Sequence, residues 1–145
     1  MQSLVNLFSH EHVIYTGKTR TTGGRDGASQ SSDSYLDIKL STPGTSEQGT
    51  NPEQLFAAGW SACFISSVRI AASKMRVTLP PGLSVDAEVD LGSTIGNYFL
   101  QGRMKVNLPG MDPQTAKALA DASHRNCPYS RATLGNINVE INVSV

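Results

Sequence analysis

The chain contains two cysteines, Cys63 and Cys127, and their thiols are its most conspicuous candidate nucleophiles. They stand far apart in the sequence and form no Cys-x-x-Cys pair, so neither has a second cysteine at the short spacing typical of a metal site. Two such thiols can be inert core residues, a structural disulfide or a redox-active couple. The residues around them have to separate these alternatives.

Cys63 lies in an apolar segment, where a cysteine is by default a small buried side chain. The helix predicted for this segment starts about eleven residues earlier, so the partial positive charge of its N-terminus is too distant to help ionise the thiol. Burial among Phe56, Trp60 and Phe64 would raise the thiol pKa and leave the group unreactive. A reactive Cys63 would therefore need a cation supplied from elsewhere in the chain.

Arg25 is the candidate for that cation, and it stands in the glycine-rich segment 23–27. A guanidinium is permanently charged and carries five donors, so it can stabilise a thiolate and bind a peroxide oxygen together. Glu53 could orient the guanidinium through a two-pronged ion pair. Both residues also have plainer explanations, Arg25 as a solvated turn residue and Glu53 as an acid in the first turn of a helix. Residue types alone do not decide between these alternatives.

The three histidines are the remaining candidate metal ligands: His10, His12 and His124. Zinc usually takes three or four protein ligands, and only His10 and His12 would share one face of a strand. We therefore expect no metal site. The chain also lacks the glycine-rich phosphate-binding motifs and the Gly-x-Ser-x-Gly motif, so nucleotide-dependent and serine-hydrolase chemistry have no motif support.

The charge balance of the chain is neutral, with 12 basic and 12 acidic residues among 145. Nucleic acids and anionic membranes usually need a basic face, so neither is an expected partner. The N-terminus has no basic start followed by an apolar run, and the uncharged segment 54–68 is shorter than a membrane span. We expect a cytoplasmic protein, and in that reducing compartment a transient catalytic disulfide is commoner than a structural one.

Turn residues and apolar periodicity predict a single α+β domain over residues 1–145. Strands are predicted at 12–22, 35–40, 83–91, 100–108 and 137–145, and helices at 52–74 and 113–127. An Asn-Pro and an Asp-Pro pair, each a cap followed by a first-turn proline, mark the two helix starts. The second helix should end before Pro128, which puts Cys127 at its end. The predicted element order is ββ-α-ββ-α-β.

The first predicted helix is apolar over most of its circumference, so it has to be covered on several sides. One further helix and some five strands offer little cover within a single chain. A dimer with this helix at its centre would supply the rest.

Three segments together resemble the organic hydroperoxide resistance proteins of the OsmC/Ohr family. They are the segments 22–27, 51–64 and 124–130, and the resemblance extends in the same order over nearly the whole chain. Two departures are visible, since the loop 43–50 is shorter and less glycine-rich than is typical, and Trp60 stands where tyrosine is expected. The resemblance implies an OsmC-like fold in an intertwined homodimer, with long central helices packed against β-sheets and two sites at the subunit interface.

The same resemblance implies a thiol-dependent peroxidase that reduces organic hydroperoxides, alkyl or lipid, to alcohols and protects against oxidative stress. Cys63 matches the peroxidatic cysteine and Cys127 the resolving cysteine, while Arg25 matches the activating arginine and Glu53 its orienting carboxylate. A sulfenic acid on Cys63 would condense with Cys127 to a disulfide, which requires the end of the second helix to lie against the middle of the first.

Substrate and reductant follow from the resemblance as well. The candidate substrate-binding residues are apolar and would favour an organic hydroperoxide by burying its tail. They are Leu55, Phe56, Trp60 and Phe64. The family's reductants, dihydrolipoamide or lipoylated proteins, are expected to reduce the disulfide, and no bound cofactor is expected.

Two other functions are compatible with the same residues. A thiol-based redox sensor or hydroperoxide-binding module would oxidise the pair without multiple turnover. A structural dimerisation domain would keep both thiols inert towards thiol reagents.

Overall fold

The computed structural model describes residues 12–145, and the chain divides into two compact units, Met1–Thr50 and Asn51–Val145. In the first unit three short strands form an antiparallel sheet in the order β1-β2-β3. They are β1 Thr19–Thr22, β2 Ala28–Ser31 and β3 Asp37–Lys39. A single 3-10 turn, Gly24–Asp26, connects β1 to β2.

The strands of the first unit differ from the prediction. Only the last four residues of the predicted strand 12–22 form β1, and residues 12–18 have no regular secondary structure. The predicted strand 35–40 corresponds to the shorter β3. Strand β2 was not predicted, because its sequence, Ala-Ser-Gln-Ser, contains no β-branched or aromatic residue. The first unit therefore has three strands where two were predicted.

The second unit opens with the long helix α1, Pro52–Met75, close to the predicted range 52–74. The side chain of Asn51 accepts a hydrogen bond from the backbone N–H of Gln54 at 2.9 Å, so one of the unpaired donors of the first turn is satisfied. At the other end Arg76 adopts a left-handed φ of 57° and stops the helix.

A three-stranded sheet follows, in the order β4-β5-β6. Its strands are β4 Ser84–Thr94, β5 Asn97–Asn107 and β6 Asn138–Ser144. Strands β4 and β5 form an antiparallel hairpin, and Gly96, the second residue of the connecting turn, adopts a left-handed φ of 83°, which favours glycine. Strand β6 pairs in parallel with β5, so the chain has to cross over between them.

The crossover contains two helices where one was predicted, α2 Pro113–Asn126 and α3 Pro128–Thr133. Pro128 was expected only to stop the second helix, but it also begins α3, where its missing N–H costs no hydrogen bond. The element order is therefore βββ-α-ββ-αα-β. The prediction of an α+β fold with a long helix against a sheet is confirmed, and the short α3 is the addition that matters for the cysteines.

The core of the second unit lies where α1, α2 and one face of the sheet meet, because apolar residues alternate along the strands and repeat along one side of α1. Its buried members are Trp60, Phe64, Val68, Met104, Val106, Leu108, Ala116, Ala120 and Cys127. The same stretch of α1 therefore carries both Cys63 and several of the residues that form the main core.

Helix α1 is long and apolar enough to cross a membrane by length and composition alone, a test that the core helix of a soluble protein also passes. It contacts β4, α2 and α3, while residues such as Ala62 and Ser66 on its other side are exposed and Ile70 is 55% exposed. A second chain would cover this side in the predicted homodimer. The homodimer and the single-domain organisation stay predictions.

Candidate active site

The two cysteines, distant in sequence, lie side by side in the second unit. The Cys127 thiol contacts the Cys63 sulfur with the two Sγ atoms 3.4 Å apart, and both cysteines are free thiols. Cys127 is fully buried and Cys63 is partly buried. A small closure of the gap would bring the two sulfurs to the distance of an S–S bond.

Each cysteine is held by a different kind of backbone. Cys63 lies near the middle of α1. Cys127 ends α2, where its N–H donates to the carbonyl of Ser123 at 2.8 Å, and it also precedes α3, where its carbonyl accepts from the N–H of Arg131 at 2.9 Å. Its ψ of 122° is not helical, as the following Pro128 requires. The chain therefore turns at Cys127, with a helix on each side.

A close contact between α1 and α3 brings the thiols together. Gly59 faces Tyr129, and a Cβ at Gly59 would lie 3.1 Å from the Tyr129 hydroxyl oxygen, so glycine permits this close approach. The ring of Phe56 meets the Tyr129 ring edge-on, with centroids 6.3 Å apart. Because Phe56, Gly59 and Cys63 repeat at helical spacing, one stripe of α1 carries both the packing surface for α3 and the thiol.

A buried hydrogen bond adds to this contact. The indole Nε1 of Trp60 donates to the hydroxyl of Ser130 in α3 at 3.0 Å. On its other side the indole packs closely against β5. A Cβ at Gly102 would lie only 2.6 Å from the indole Cζ3. Sequence reasoning missed Tyr129 and Ser130 as parts of the site. Their signal was present in the Cys-Pro-Tyr-Ser run, of which only the cysteine was assigned a chemical role.

The electrostatic environment does not favour a thiolate at Cys63. Burial raises the pKa of the Cys63 thiol above its ordinary value, and the neighbouring Cys127 raises it further. The backbone N–H of Tyr129 acts in the opposite direction, because it hydrogen-bonds the charged form. The net effect keeps Cys63 protonated to a higher pH, so reaction as a thiolate calls for an additional positive group.

Arg25 belongs to the first unit, where it is the middle residue of the 3-10 turn between β1 and β2. Gly23 and Gly24 adopt left-handed φ values of 72° and 60°, which explains why glycines precede it. The Asp26 carboxylate accepts hydrogen bonds from the N–H and the hydroxyl of Thr42, at 3.1 and 2.7 Å. The turn is thus braced within its own unit, and the partial burial of Arg25 argues against a fully solvated side chain.

Glu53 is the second residue of α1, in its first turn. Ten residues separate it from Cys63, which corresponds to about 15 Å along a helix axis. It cannot contact Cys63 directly, so any part in the chemistry of that thiol has to pass through another group. Its position also suits the partial positive charge of the helix N-terminus. The activating role of Arg25 and the orienting role of Glu53 stay predictions.

The four predicted substrate-binding residues fall into two classes. Trp60 and Phe64 are fully buried and belong to the core, so neither offers surface to a ligand in this conformation. Leu55 and Phe56 are partly exposed and remain available to line an apolar site. The Trp60 ring is packed between β5 and α3, and its contact with substrate stays a prediction.

His124 lies in the last turn of α2, one turn before Cys127. Its Nδ1 is buried and has no hydrogen-bond partner among the described residues, and burial lowers its pKa against the opposing effect of Asp121. Within residues 12–145, no three His, Cys, Asp or Glu side chains group closely enough to hold a metal ion. His12 lies in the irregular segment before β1, and His10 lies outside the described residues.

Comparison with known proteins identifies the family. The family model described as OsmC-like protein matches residues 44–142. This chain belongs to the OsmC-like family. It is 44% identical over 142 residues to the organic hydroperoxide resistance protein of Xanthomonas axonopodis pv. citri, a match that covers 95% of this chain and 100% of the relative.

Solved structures of OsmC-like proteins agree in fold. An organic hydroperoxide resistance protein from Legionella pneumophila superposes with a TM-score of 0.87 at 36% identity, covering 92% of this chain and all of that one. The organic hydroperoxide resistance protein OhrB of Bacillus subtilis gives a TM-score of 0.86 at 33% identity, covering 91% of this chain and all of that one. The family resemblance predicted from the sequence is confirmed.

Proposed function

We propose that this OsmC-like protein is a cysteine-based peroxidase that reduces organic hydroperoxides to alcohols and so protects against oxidative stress. One observation carries the proposal, the 3.4 Å separation of the Cys63 and Cys127 sulfurs in a chain with relatives named organic hydroperoxide resistance proteins. A buried free thiol beside a partly exposed one suits a sequence of oxidation and resolution better than it suits two inert core residues.

In the first step the Cys63 thiolate attacks the distal oxygen of the hydroperoxide. The O–O bond breaks, the alkoxide leaves and takes a proton to become the alcohol, and Cys63 becomes a sulfenic acid. In the second step the Cys127 sulfur attacks the Cys63 sulfur. An S–S bond forms, the sulfenic hydroxyl leaves with the proton of the second thiol as water, and the peroxide has been reduced by two thiols. A dithiol then reduces the disulfide by exchange.

Because burial raises the pKa of Cys63, the first step needs a group that stabilises the thiolate. We assign this role to Arg25, with Glu53 as the carboxylate that orients it. Leu55 and Phe56 form the apolar surface for the substrate tail, which favours organic hydroperoxides over hydrogen peroxide. The proposal also includes a homodimer, with dihydrolipoamide or a lipoylated protein as reductant, and these rest on the family resemblance. The cytoplasmic location is carried over from the sequence analysis as part of the proposal.

The test measures consumption of cumene hydroperoxide with dihydrolipoamide as reductant. Unaltered protein should turn over many times and Cys63→Ser should be inactive. Without the dithiol, Cys127→Ser should react once with the hydroperoxide and accumulate a sulfenic acid that dimedone traps. Full activity of Cys63→Ser would contradict the assignment. Formation of one disulfide without sustained peroxide consumption would instead identify a redox sensor, and the same assay with hydrogen peroxide tests the preference for organic substrates.

A further inference from the structure

A fully buried side-chain hydrogen bond joins the two segments that carry the cysteines. The Trp60 Nε1–H donates to the Ser130 hydroxyl at 3.0 Å, across 70 positions of sequence. Trp60 precedes Cys63 by three residues in α1, and Ser130 follows Cys127 by three residues in α3. The bond therefore lies about one helical turn from each sulfur. Both partners are fully buried, so neither can exchange the bond for one with water.

Helix α3 depends on such contacts for its position. It has six residues, and a helix of this length is not stable by itself in water. Cys127 is anchored on one side by α2, through the bond from its N–H to the Ser123 carbonyl. On the other side its place relative to Cys63 is set by how α3 lies on α1. The Trp60–Ser130 bond is a fully buried polar contact between these two helices, in addition to the hydrogen bond from the Tyr129 N–H to Cys63.

The Trp60 indole, which donates this hydrogen bond, is held in place by its neighbours. The far edge of the Trp60 indole lies so close to β5 that a Cβ at Gly102 would come within 2.6 Å of Cζ3 and 3.0 Å of Cη2. The ring of Phe56 meets the indole edge-on at a centroid distance of 5.7 Å. A fully buried indole with contacts on these sides has one orientation, so the direction of its N–H is preset.

We propose that Trp60 and Ser130 are positioning residues for disulfide formation, because their hydrogen bond holds α3 on α1 and keeps the Cys127 sulfur within reach of Cys63. The inference rests on the proposed function for its biological step. In that step the Cys63 sulfenic acid, formed by the hydroperoxide, and the Cys127 thiol combine to a disulfide and water. The hydrogen bond should affect disulfide formation with any thiol oxidant, because it controls the distance between the two sulfurs and does not involve the peroxide.

The test compares four variants with the unaltered protein. Ser130→Ala removes the acceptor with the loss of one oxygen atom, Trp60→Phe removes the donor, and the double variant removes both. Ser123→Ala is the matched control, because Ser123 is an equally buried serine near Cys127 whose hydroxyl bonds only within α2, to the Leu119 carbonyl at 2.6 Å. Circular dichroism verifies that each variant is folded, and if Trp60→Phe is not, Ser130→Ala carries the comparison.

Each protein is oxidised separately with one equivalent of cumene hydroperoxide and with diamide, and the disulfide is quantified by mass spectrometry after acid quenching and alkylation. Ser130→Ala and Trp60→Phe should form the disulfide about tenfold more slowly with either oxidant, a factor equivalent to about 1.4 kcal/mol. The double variant should be no slower than the slower single variant, because both remove one shared interaction. With the hydroperoxide, the initial oxidation of Cys63 in Ser130→Ala should keep its rate while the dimedone-trapped sulfenic acid increases.

The two oxidants separate the inference from the proposed function. A diamide-driven disulfide that forms at the unaltered rate in Ser130→Ala would overturn the inference whether or not the protein is a peroxidase. An equal loss of rate in Ser123→Ala would also overturn it, because the loss would then follow from removing any buried serine hydroxyl near Cys127 and not from breaking the bond to Trp60. Failure of the unaltered protein to react with hydroperoxide would overturn the peroxidase proposal, and the diamide comparison would still decide the role of the hydrogen bond.

Discussion

The close approach of Trp60 to Gly102 predicts that Gly102→Ala destabilises the protein. The added methyl group would lie 2.6 Å from the indole Cζ3, well inside van der Waals contact, and the indole is fully buried and cannot swing into solvent. Overpacking of this kind costs about 1–3 kcal/mol. Replacing glycine by alanine also lowers the conformational entropy of the unfolded chain, which stabilises the folded state by about 0.4–1 kcal/mol where the backbone conformation suits alanine. The clash is the larger effect, so a net loss on the order of 1–2 kcal/mol remains.

For a chain of this length each kcal/mol corresponds to about 3 °C, so the melting temperature of Gly102→Ala should fall by about 3–6 °C in differential scanning calorimetry. Gly17→Ala is the control, since its Cβ would meet only ordinary contact, 3.6 Å from the Tyr15 ring. Trp60→Phe should partly relieve the clash, so the destabilisation in the double variant should be less than the sum of the two single effects. An unchanged or raised melting temperature of Gly102→Ala would refute the packing argument.

Three further predictions concern charge and capping. Arg25→Ala should raise the pKa of Cys63, so its alkylation by iodoacetamide should need higher pH, with Arg25→Lys intermediate; an unchanged pH profile would count against the activating role. The guanidinium of Arg103 holds the pKa of Asp90 at about 2, so the stability that this pair contributes is complete above the ordinary pKa of 3.8 and is lost as the pH falls towards 2. The difference in melting temperature between unaltered protein and Asp90→Asn should therefore shrink from pH 6 to pH 2, and a constant difference would contradict this linkage. Asn51→Ala removes the side-chain cap of α1 and should lower the free energy of unfolding by about 1 kcal/mol in urea titrations, while Asn51→Asp should retain most of it.

Local signals were sufficient for most of the second unit. A capping residue followed by proline located the start of α1, and strict alternation of apolar and polar residues located β4, β5 and β6. These signals are strong because each rests on a backbone requirement or on one buried face. Strand β2 carries no such signal, since its small polar residues form a strand only through pairing with β1 and β3.

The site was predictable in its thiols and not in their surroundings. Pro128 was interpreted as the end of one helix, but the same residue type is favoured at the first position of a helix, so α3 was missed. The pairing of Trp60 with Ser130 depends on how α3 lies on α1, and no local spacing encodes a contact across that much chain. Tertiary packing therefore decides which aromatic residues are available to a ligand and which are buried in the core.

Trp60 is also the chain's single tryptophan, which gives the molecule a built-in optical reporter. Its indole N–H is hydrogen-bonded to the segment that follows Cys127, and it lies one helical turn from Cys63. Emission from this chain under 295 nm excitation is therefore dominated by one ring beside the thiol pair. Because thiols and disulfides differ in how they quench an excited indole, the protein can be followed through oxidation and reduction in real time without any attached dye.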